Sequence, residues 1–139
     1  MKKTPKRRSD CPISFALDIF GDKWSLLIIR DLMFTGKKTY GAFLNSEEKI
    51  ATNILADRLA MLECAGLIKS RKEGARKSGY HYRLTEKGLD LVPVMLEIIR
   101  WGAMHDQTTA APKEFTERVI HDRENFIKEI TDSLKETER

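Results

Sequence analysis

Residues Ile50–Gly66 read IATNILADRLAMLECAG, which predicts a helix with two different faces. Leu55, Leu59 and Leu62 recur at the i, i+4, i+7 spacing of a buried stripe. The opposite face begins with small polar side chains, a threonine and an asparagine. Such a face fits a DNA major groove, where Asn pairs with adenine and Thr contacts the thymine methyl group. An ordinary surface helix is the stronger interpretation of this stretch alone, so its neighbours must decide.

The preceding segments predict three helices. Cys11-Pro12 opens the first, because proline at the first helical position already has a helical φ and needs no amide donor. The second, 23–34, is apolar almost all round, so we expect it to be the central core helix, capped by Asp22. A short third helix, 40–44, is capped by Thr39 and followed by a polar turn. A short helix, a turn and a longer helix form the order of a helix-turn-helix.

After Gly66 the sequence pattern changes from helical to alternating. Residues 67–73 and 80–84 predict two strands, and the glycine-bounded loop 74–79 joins them as a hairpin. The hairpin is strongly basic and holds a single acid, Glu73. Its basic residues are Lys69, Arg71, Lys72, Arg76, Lys77 and Arg83. A winged helix-turn-helix places such a hairpin over the DNA backbone, so the order of these elements favours DNA binding over a solvated turn.

The rest of the chain is predicted to be helical. Thr85 caps the next helix, in which Gly88 allows close packing against the hairpin and Pro93 causes a kink or a restart. Residues 107–112 read as a linker of small and polar residues, and 115–134 as one final amphipathic helix. The apolar stripe of that helix has to be covered by its own domain or by a second copy of the chain. The predicted fold is therefore mostly α with a small β-hairpin.

Charge and composition limit the class of protein. The chain has 139 residues and a formal net charge of +4. Residues 1–112 carry a net charge of +6 and residues 113–139 a net charge of −2, so the main body favours a polyanionic partner. The apolar runs are too short for a signal peptide or a membrane span. Two cysteines are too few for a secreted disulfide framework, so we expect a cytoplasmic protein without a membrane partner.

We expect three regions along the chain. Residues 1–10 form a flexible basic tail, either a solvated segment or a nonspecific phosphate contact. Residues 11–106 form a winged helix-turn-helix DNA-binding domain. Residues 107–139 form the linker and the C-terminal amphipathic helix, which serves either dimerisation or packing.

The chain resembles HxlR-type winged helix-turn-helix transcriptional regulators over residues 11–105. The resemblance rests on six motifs taken together. They are Cys11-Pro12, GDKWSLLIIRDL (Gly21–Leu32), IATNILADRL (Ile50–Leu59), AGLI (Ala65–Ile68), YRLTEKGLDLVP (Tyr82–Pro93) and RWG (Arg100–Gly102). The resemblance implies a homodimeric repressor or activator that binds double-stranded DNA, dimerised through helices near both chain ends. A symmetric dimer of this kind reads an inverted repeat.

The long helix supplies the first group of candidate DNA-binding residues. Thr52, Asn53, Ala56 and Asp57 are expected to face base edges. Asp57 is the weakest of these candidates, because its carboxylate accepts a hydrogen bond from cytosine but repels phosphate. Arg58 is assigned either to a phosphate or to a structural pair with an acid of the same domain.

The short helix and the wing supply the remaining candidates. Thr39 and Tyr40, at the start of the short helix, are expected to donate hydrogen bonds to backbone phosphates. Lys72, Arg76 and Lys77 in the wing are expected to contact phosphate or the minor groove. Each phosphate that such a residue neutralises makes binding more sensitive to salt.

Cys11 is a candidate redox or electrophile sensor. It lies at a helix start beside a cationic tail, and both features favour the reactive thiolate. The resemblance adds that some HxlR-type regulators sense oxidants through a cysteine at this position. The alternative is an unreactive residue that opens the helix. Cys64 is interpreted as an inert packing residue.

We expect no enzyme activity, no metal and no cofactor. His81, His105 and His121 are far apart and lack metal-ligand spacing. Two alternative functions remain, a winged-helix adaptor that binds protein and not DNA, and a small thiol oxidoreductase that uses Cys11. The basic wing argues against the first, and the lack of a C-x-x-C pair argues against the second. The sequence names no small-molecule effector.

Overall fold

The computed structural model describes residues 7–74 and 79–137. Its elements in chain order are α1 (Pro12–Phe20), α2 (Ser25–Arg30), a π-helical turn (Asp31–Thr35), α3 (Tyr40–Leu44), α4 (Thr52–Cys64), β1 (Ile68–Lys72), β2 (Tyr80–Leu84), α5 (Glu86–Leu89), α6 (Val92–His105), α7 (Lys113–His121) and α8 (Arg123–Glu136). A mostly helical chain with a β-hairpin confirms the predicted fold class. Two compact units meet at Gly88 and Leu89; the domain limits 11–106 and 107–139 stay predictions.

In the first unit, α4 buries the predicted leucine stripe. Leu55 and Leu62 are fully buried, and Leu59 is 3% exposed. Helices α2 and α3 pack against α4 and contribute the fully buried Ile29 and the nearly buried Phe43. Burying a leucine side chain contributes about 2 kcal/mol. The stripe therefore fixes which face of α4 points into the core and which face remains exposed.

The predicted helix 23–34 is not uniform. It has α-helical geometry as far as Arg30 and changes to π geometry at Asp31. Its start is capped as predicted, because a carboxylate oxygen of Asp22 accepts the backbone N–H groups of Trp24 at 3.0 Å and Ser25 at 2.9 Å. The apolar pattern does not distinguish the two helix types, so the change of geometry had no signal in the sequence.

The hairpin pairs β1 with β2 in antiparallel register, from Ile68 opposite Leu84 to Lys72 opposite Tyr80. This confirms the two predicted strands. The segment before α3 extends the pairing, because the backbone N–H of Tyr82 donates to the carbonyl of Lys38 at 2.8 Å. The hairpin is thus attached by backbone contacts to the entry of the helix-turn-helix.

Gly88 lies where α5 crosses the start of β1. A Cβ atom at this position would lie 2.1 Å from the carbonyl oxygen of Leu67, which already accepts the backbone N–H of Thr85 at 3.0 Å. Thr85 caps α5 as predicted, since its hydroxyl oxygen accepts the N–H of Gly88 at 3.1 Å. The expected close packing against the hairpin is therefore confirmed, and only glycine fits it.

In the second unit, α6 restarts after α5 and is not a kinked continuation of it. It begins at Val92, with Pro93 in its first turn, where proline is tolerated. Val92, Met95 and Leu96 are buried on one side of α6. The proline therefore marks a restart, which was one of the two outcomes that the sequence allowed.

The prediction of one final helix over 115–134 is wrong. Asp122 has non-helical angles, φ −140° and ψ 38°, and separates α7 from α8. The rings of Phe115 and Phe126 are in edge contact with centroids 4.9 Å apart, whereas eleven residues of a straight helix span about 16 Å. The chain therefore turns back at Asp122, and α6 packs against both α7 and α8 within this unit. The sequence allowed the apolar stripe to be covered by its own domain or by a second copy of the chain. In the structure its own chain covers part of the stripe, and Val119 is only 2% exposed.

Helix α1 leaves much of its apolar surface exposed. None of its residues is buried, and Ile13 and Leu17 are 70% and 50% exposed. Phe15, on another side of the helix, is 53% exposed. Exposed apolar surface of this kind, where it is contiguous, is typical of interaction sites.

Replacing Gly88 with alanine should destabilise the protein by about 2 kcal/mol, because the new methyl group overlaps a backbone oxygen that cannot move away cheaply. Urea unfolding followed by circular dichroism measures the change. Gly41→Ala is the matched control, since a Cβ at Gly41 meets nothing within 4 Å. An equal loss for the two variants would contradict the packing role of Gly88.

Candidate nucleic-acid interface

The N-terminal end of α4 presents an exposed, small and polar face. Thr52, Asn53 and Ala56 are exposed, and Asp57 is half-buried. The helix follows Ala51, whose methyl side chain cannot cap it. The N–H groups of the first turn therefore remain for solvent or for an anion such as a phosphate. All four residues predicted to face bases lie on an accessible surface.

The start of α3 is joined to the start of α4. The hydroxyl group of Tyr40 donates to the backbone carbonyl of Thr52 at 2.9 Å. This bond uses the hydroxyl proton, so a phosphate contact by Tyr40 requires the bond to break. Thr39 caps α3 as predicted, because its hydroxyl oxygen accepts the N–H of Ala42 at 3.2 Å. The hydroxyl proton of Thr39 remains able to point outward, and the phosphate roles of both residues stay predictions.

Arg58 takes part in a structural pair. Its guanidinium contacts the carboxylate of Asp57 on the same helix and lies 3.5 Å from that of Asp22. The hydrogen bond that Arg58 donates to Asp57 raises the pKa of Arg58. Burial acts to raise the pKa of Asp22, but hydrogen bonds from Ser25 and Trp24 and the charge of Arg58 outweigh it, and the pKa is lowered. The geometry therefore matches the second of the two roles considered for Arg58.

An open cleft of about 560 Å³ lies beside α4. It is lined by Asp22, Trp24, Asn53, Ile54, Asp57 and Arg58. Sequence reasoning placed Trp24 in the core, but its ring is half-buried and forms a wall of this cleft, with the ammonium group of Lys23 5.1 Å from the ring centroid. Because Arg58 contacts the acids on both sides, its one positive charge offsets about half of their negative charge at this surface.

The hairpin presents basic side chains around one acidic group. Lys72 is exposed at the end of β1, as predicted for a wing. The guanidinium of Arg71 bonds to Glu73, and the hydrogen bond lowers the pKa of Glu73. Arg76 and Lys77, the other wing residues predicted to contact DNA, lie outside the described residues.

Comparison with known proteins shows which protein family shares this arrangement of elements. Residues 19–110 match the family model described as HxlR-like helix-turn-helix. The chain belongs to the HxlR-like helix-turn-helix family. The match covers the whole span from α2 to α6, which includes every predicted DNA-binding residue, and it confirms the resemblance drawn from the motifs. The protein is therefore a transcriptional regulator of the winged helix-turn-helix type.

Similarity to individual proteins supports this assignment. The uncharacterized HTH-type regulator YdeP of Bacillus subtilis is 34% identical over 107 residues, covering 74% of this chain and 83% of YdeP. The uncharacterized HTH-type regulator sll1512 of Synechocystis sp. is 31% identical over 93 residues, covering 67% of this chain and 68% of sll1512. The oxidised form of the redox regulator HypR superposes with a TM-score of 0.61 at 31% identity, covering 68% of this chain and 96% of HypR.

Cys11 precedes the segment matched to the HxlR-like family. It is exposed, has extended backbone and lies directly before the first helical residue of α1. The nearby cations are paired with acids, Arg7 with Asp10 at 3.3 Å and Arg8 with Asp18 at 2.7 Å. Among the described residues, the two tail cations are thus paired with acids, whereas Lys2, Lys3 and Lys6 of the predicted basic tail lie outside the described residues.

Cys64 differs from its interpretation as a packing residue. It lies in the last turn of α4 and is exposed. The helical pattern explains the difference, because Cys64 is two positions beyond Leu62 and about 200° further round the helix from the buried stripe.

Three or more metal-ligating side chains do not come together anywhere in 7–74 and 79–137. Across the same residues, each helix is too short or too polar to cross a membrane.

Sequence reasoning missed the contacts that hold α4 in place. Tyr40 reaches Thr52 across 12 residues, and Arg30 reaches Glu48 across 18. Such pairs leave no periodic pattern in a sequence. The only signal was chemical, a short run of opposite charges in 30–31 and 47–49, and such charges are common on exposed helices and turns.

Proposed function

We propose that this protein binds double-stranded DNA sequence-specifically and regulates transcription by inserting the start of α4 into the major groove. The observation that carries the proposal is the contrast between the two faces of α4, a buried leucine stripe and an exposed polar start. Membership of the HxlR-like family supports it, since its members include HTH-type transcriptional regulators.

The proposed roles divide between bases and backbone. Thr52 and Asn53, with Ala56, face base edges, and Asn53 is best suited to read adenine, because its amide oxygen accepts from adenine N6 and its amide nitrogen donates to adenine N7. Asp57 is held by Arg58, which limits its repulsion of phosphate and orients it toward a cytosine amino group. The exposed wing residue Lys72 contacts the backbone, as do Arg76 and Lys77 in the sequence-based assignment.

We propose that the functional unit is a homodimer. Its support is apolar surface on α1 and on α6, each considered within its own unit. On α6, Val94, Ile98 and Trp101 follow one another at helical spacing and are 38%, 47% and 63% exposed. Surfaces of this kind are covered by association, and two-fold symmetry would present two copies of α4 to successive grooves. Because α7 and α8 pack on α6 in the same chain, α1 and α6 are better candidates for the interface than α8.

We also propose that oxidation of Cys11 controls DNA binding. The thiol is exposed at a helix start, and HypR, a structural relative at 31% identity, is a redox regulator. A peroxide takes two electrons from the thiolate and leaves a sulfenic acid, whereas diamide joins it to a second thiol as a disulfide and is itself reduced to a hydrazine. Either product changes the size and polarity of the side chain at the first turn of α1. A change at that position would alter the exposed face that α1 offers to a second copy.

The alternatives are weaker. A protein-binding adaptor would not need the basic wing, in which Lys69, Arg71, Lys72 and Arg83 are all exposed. A thiol oxidoreductase is disfavoured because the family to which the chain belongs consists of transcriptional regulators in the relatives compared.

Asn53→Ala should weaken binding to a DNA fragment that the protein selects from its source genome by about 1–3 kcal/mol, because one base contact is lost. Binding to a shuffled fragment of the same length should change little. Fluorescence anisotropy at fixed salt measures both affinities. Asn125→Ala, the same substitution at an exposed position of α8, is the control. Equal losses on the two fragments would refute base reading by Asn53, and failure of the wild-type protein to select any fragment would favour the adaptor.

Cys11→Ser should abolish the response of DNA binding to diamide, while the wild-type protein loses most of its affinity for the selected fragment on treatment. The physical reason is that serine cannot be oxidised by a thiol-specific reagent. Cys64→Ser is the control, because it removes the other exposed thiol and should respond like the wild-type protein. Release of DNA from Cys11→Ser on oxidation would end the proposal.

A further inference from the structure

The connection between α3 and α4 is tied at two points to consecutive residues at the end of α2. The guanidinium of Arg30 donates two parallel hydrogen bonds to the carboxylate of Glu48, at 2.6 and 2.8 Å. The hydroxyl group of Ser46 donates to the carboxylate of Asp31 at 2.6 Å. We call these two contacts the turn clamp. Both ends of the clamp lie within the first unit.

The Asp31 end of the clamp is buried. Asp31 is 3% exposed and Ser46 8%. The second carboxylate oxygen of Asp31 accepts from Arg30 at 3.0 Å and from the hydroxyl of Thr35 at 3.2 Å, and the ammonium group of Lys37 donates to the hydroxyl oxygen of Ser46 at 2.9 Å. A buried carboxylate adds little stability compared with an apolar side chain of the same size. Its fixed, directional bonds are better suited to holding a particular geometry.

The Arg30 end of the clamp is partly exposed. It too contributes mainly by fixing geometry and adds little free energy. A fork of two parallel bonds between Arg and a carboxylate fixes the orientation of both groups, whereas partly exposed ion pairs contribute little free energy. The hydrogen bonds from Arg30 lower the pKa of Glu48 to about 2. Because this pKa lies below the ordinary value of 4.5, the contact is fully present above pH 4.5 and is lost only as the pH falls toward 2. The contact between Arg30 and Glu48 is therefore formed throughout the neutral pH range.

The connection itself needs such a restraint. Residues 45–51 separate α3 from α4, which is longer than the three- or four-residue turn usual in a helix-turn-helix, and they contain no glycine. Lys49 adopts a left-handed φ of 56°, a conformation that costs a non-glycine residue free energy and persists only when its surroundings impose it. Ser46 and Glu48 both bond to the end of α2 and lie within three residues of Lys49, so they restrain the chain at this position.

The helix that carries the clamp changes geometry at the same place. Arg30 ends α2 and Asp31 begins the π-helical turn. π-helical turns are rare and occur frequently at functional sites. In a regular α-helix, adjacent residues point about 100° apart, yet both Arg30 and Asp31 reach the same short connection. The local change of helix type accompanies this convergence.

We propose that the turn clamp sets the orientation of α4 relative to α3 and thereby determines how well the protein discriminates its DNA sequence. Arg30, Asp31, Ser46 and Glu48 are positioning residues that act through α4. The inference rests on the proposed function, because it assumes that α4 reads DNA. A small change in the tilt of α4 would displace Asn53 and Thr52 from base edges while leaving the backbone contacts of the wing in place.

The test compares Glu48→Ala with Glu47→Ala in the full chain. Both variants remove one negative charge from the same connection, and Glu47 is exposed, so any general electrostatic effect on DNA binding is shared. The readout is the ratio of two affinities, one for the fragment that the wild-type protein enriches most from its source genome and one for its shuffled sequence. Glu48→Ala should lower this ratio by roughly fivefold or more, the cost of about one base contact. Glu47→Ala should leave the ratio unchanged.

Two further variants test the mechanism. Glu48→Gln keeps one acceptor oxygen for Arg30, so it should lie between the wild-type protein and Glu48→Ala. Ser46→Ala removes the other tie and should also lower the ratio. Titration of each variant to saturation with DNA gives its active fraction, so loss of folded protein, which weakens binding to both fragments equally, is separated from loss of discrimination.

The outcomes are distinct. An unchanged ratio for Glu48→Ala and Ser46→Ala, or the same fall for Glu47→Ala, would overturn the positioning role while leaving the proposed function intact. Equal weakening on both fragments would show a purely structural role and would also overturn it. A wild-type protein that does not discriminate between the selected and shuffled fragments would refute the proposed function itself.

Discussion

Burial of one face of α4 is the interaction on which the rest of the candidate site depends. Leu55, Leu59 and Leu62 together contribute several kcal/mol of hydrophobic free energy, far more than any single hydrogen bond or ion pair at the surface. Once this stripe is buried, the rotation of α4 about its own axis is set, and Asn53 must point outward. The polar contacts around the helix then adjust its direction but do not decide which face is exposed.

Around this helix, acidic side chains are paired with arginines. The acids nearest the exposed face, Asp22 and Asp57, are paired with Arg58, and Glu48 is paired with Arg30. The strands of the hairpin hold four exposed cations against Glu73, which itself bonds to Arg71. In the proposed mode of binding, DNA phosphates therefore approach a surface whose nearest acids already contact arginines, while the cations of the wing attract the DNA backbone.

The sequence anticipated those features that leave a periodic or a chemical trace. The leucine spacing predicted the buried face of α4, the alternation predicted both strands, and the caps at Asp22, Thr39 and Thr85 appeared as expected. It did not anticipate the break at Asp122, because α7 and α8 continue the same amphipathic pattern across it. Nor did it anticipate Tyr40 bonding to Thr52 or the turn clamp, since contacts between side chains distant in the chain depend on the finished packing.

The most direct test of the account is methylation interference on the fragment that the wild-type protein selects. Methyl groups on guanine N7 lie in the major groove, and those on adenine N3 lie in the minor groove. If a dimer inserts two copies of α4, guanine methylation should interfere in two clusters whose centres lie about 10–10.5 base pairs apart. A single cluster, or interference from adenine N3 alone, would contradict the account.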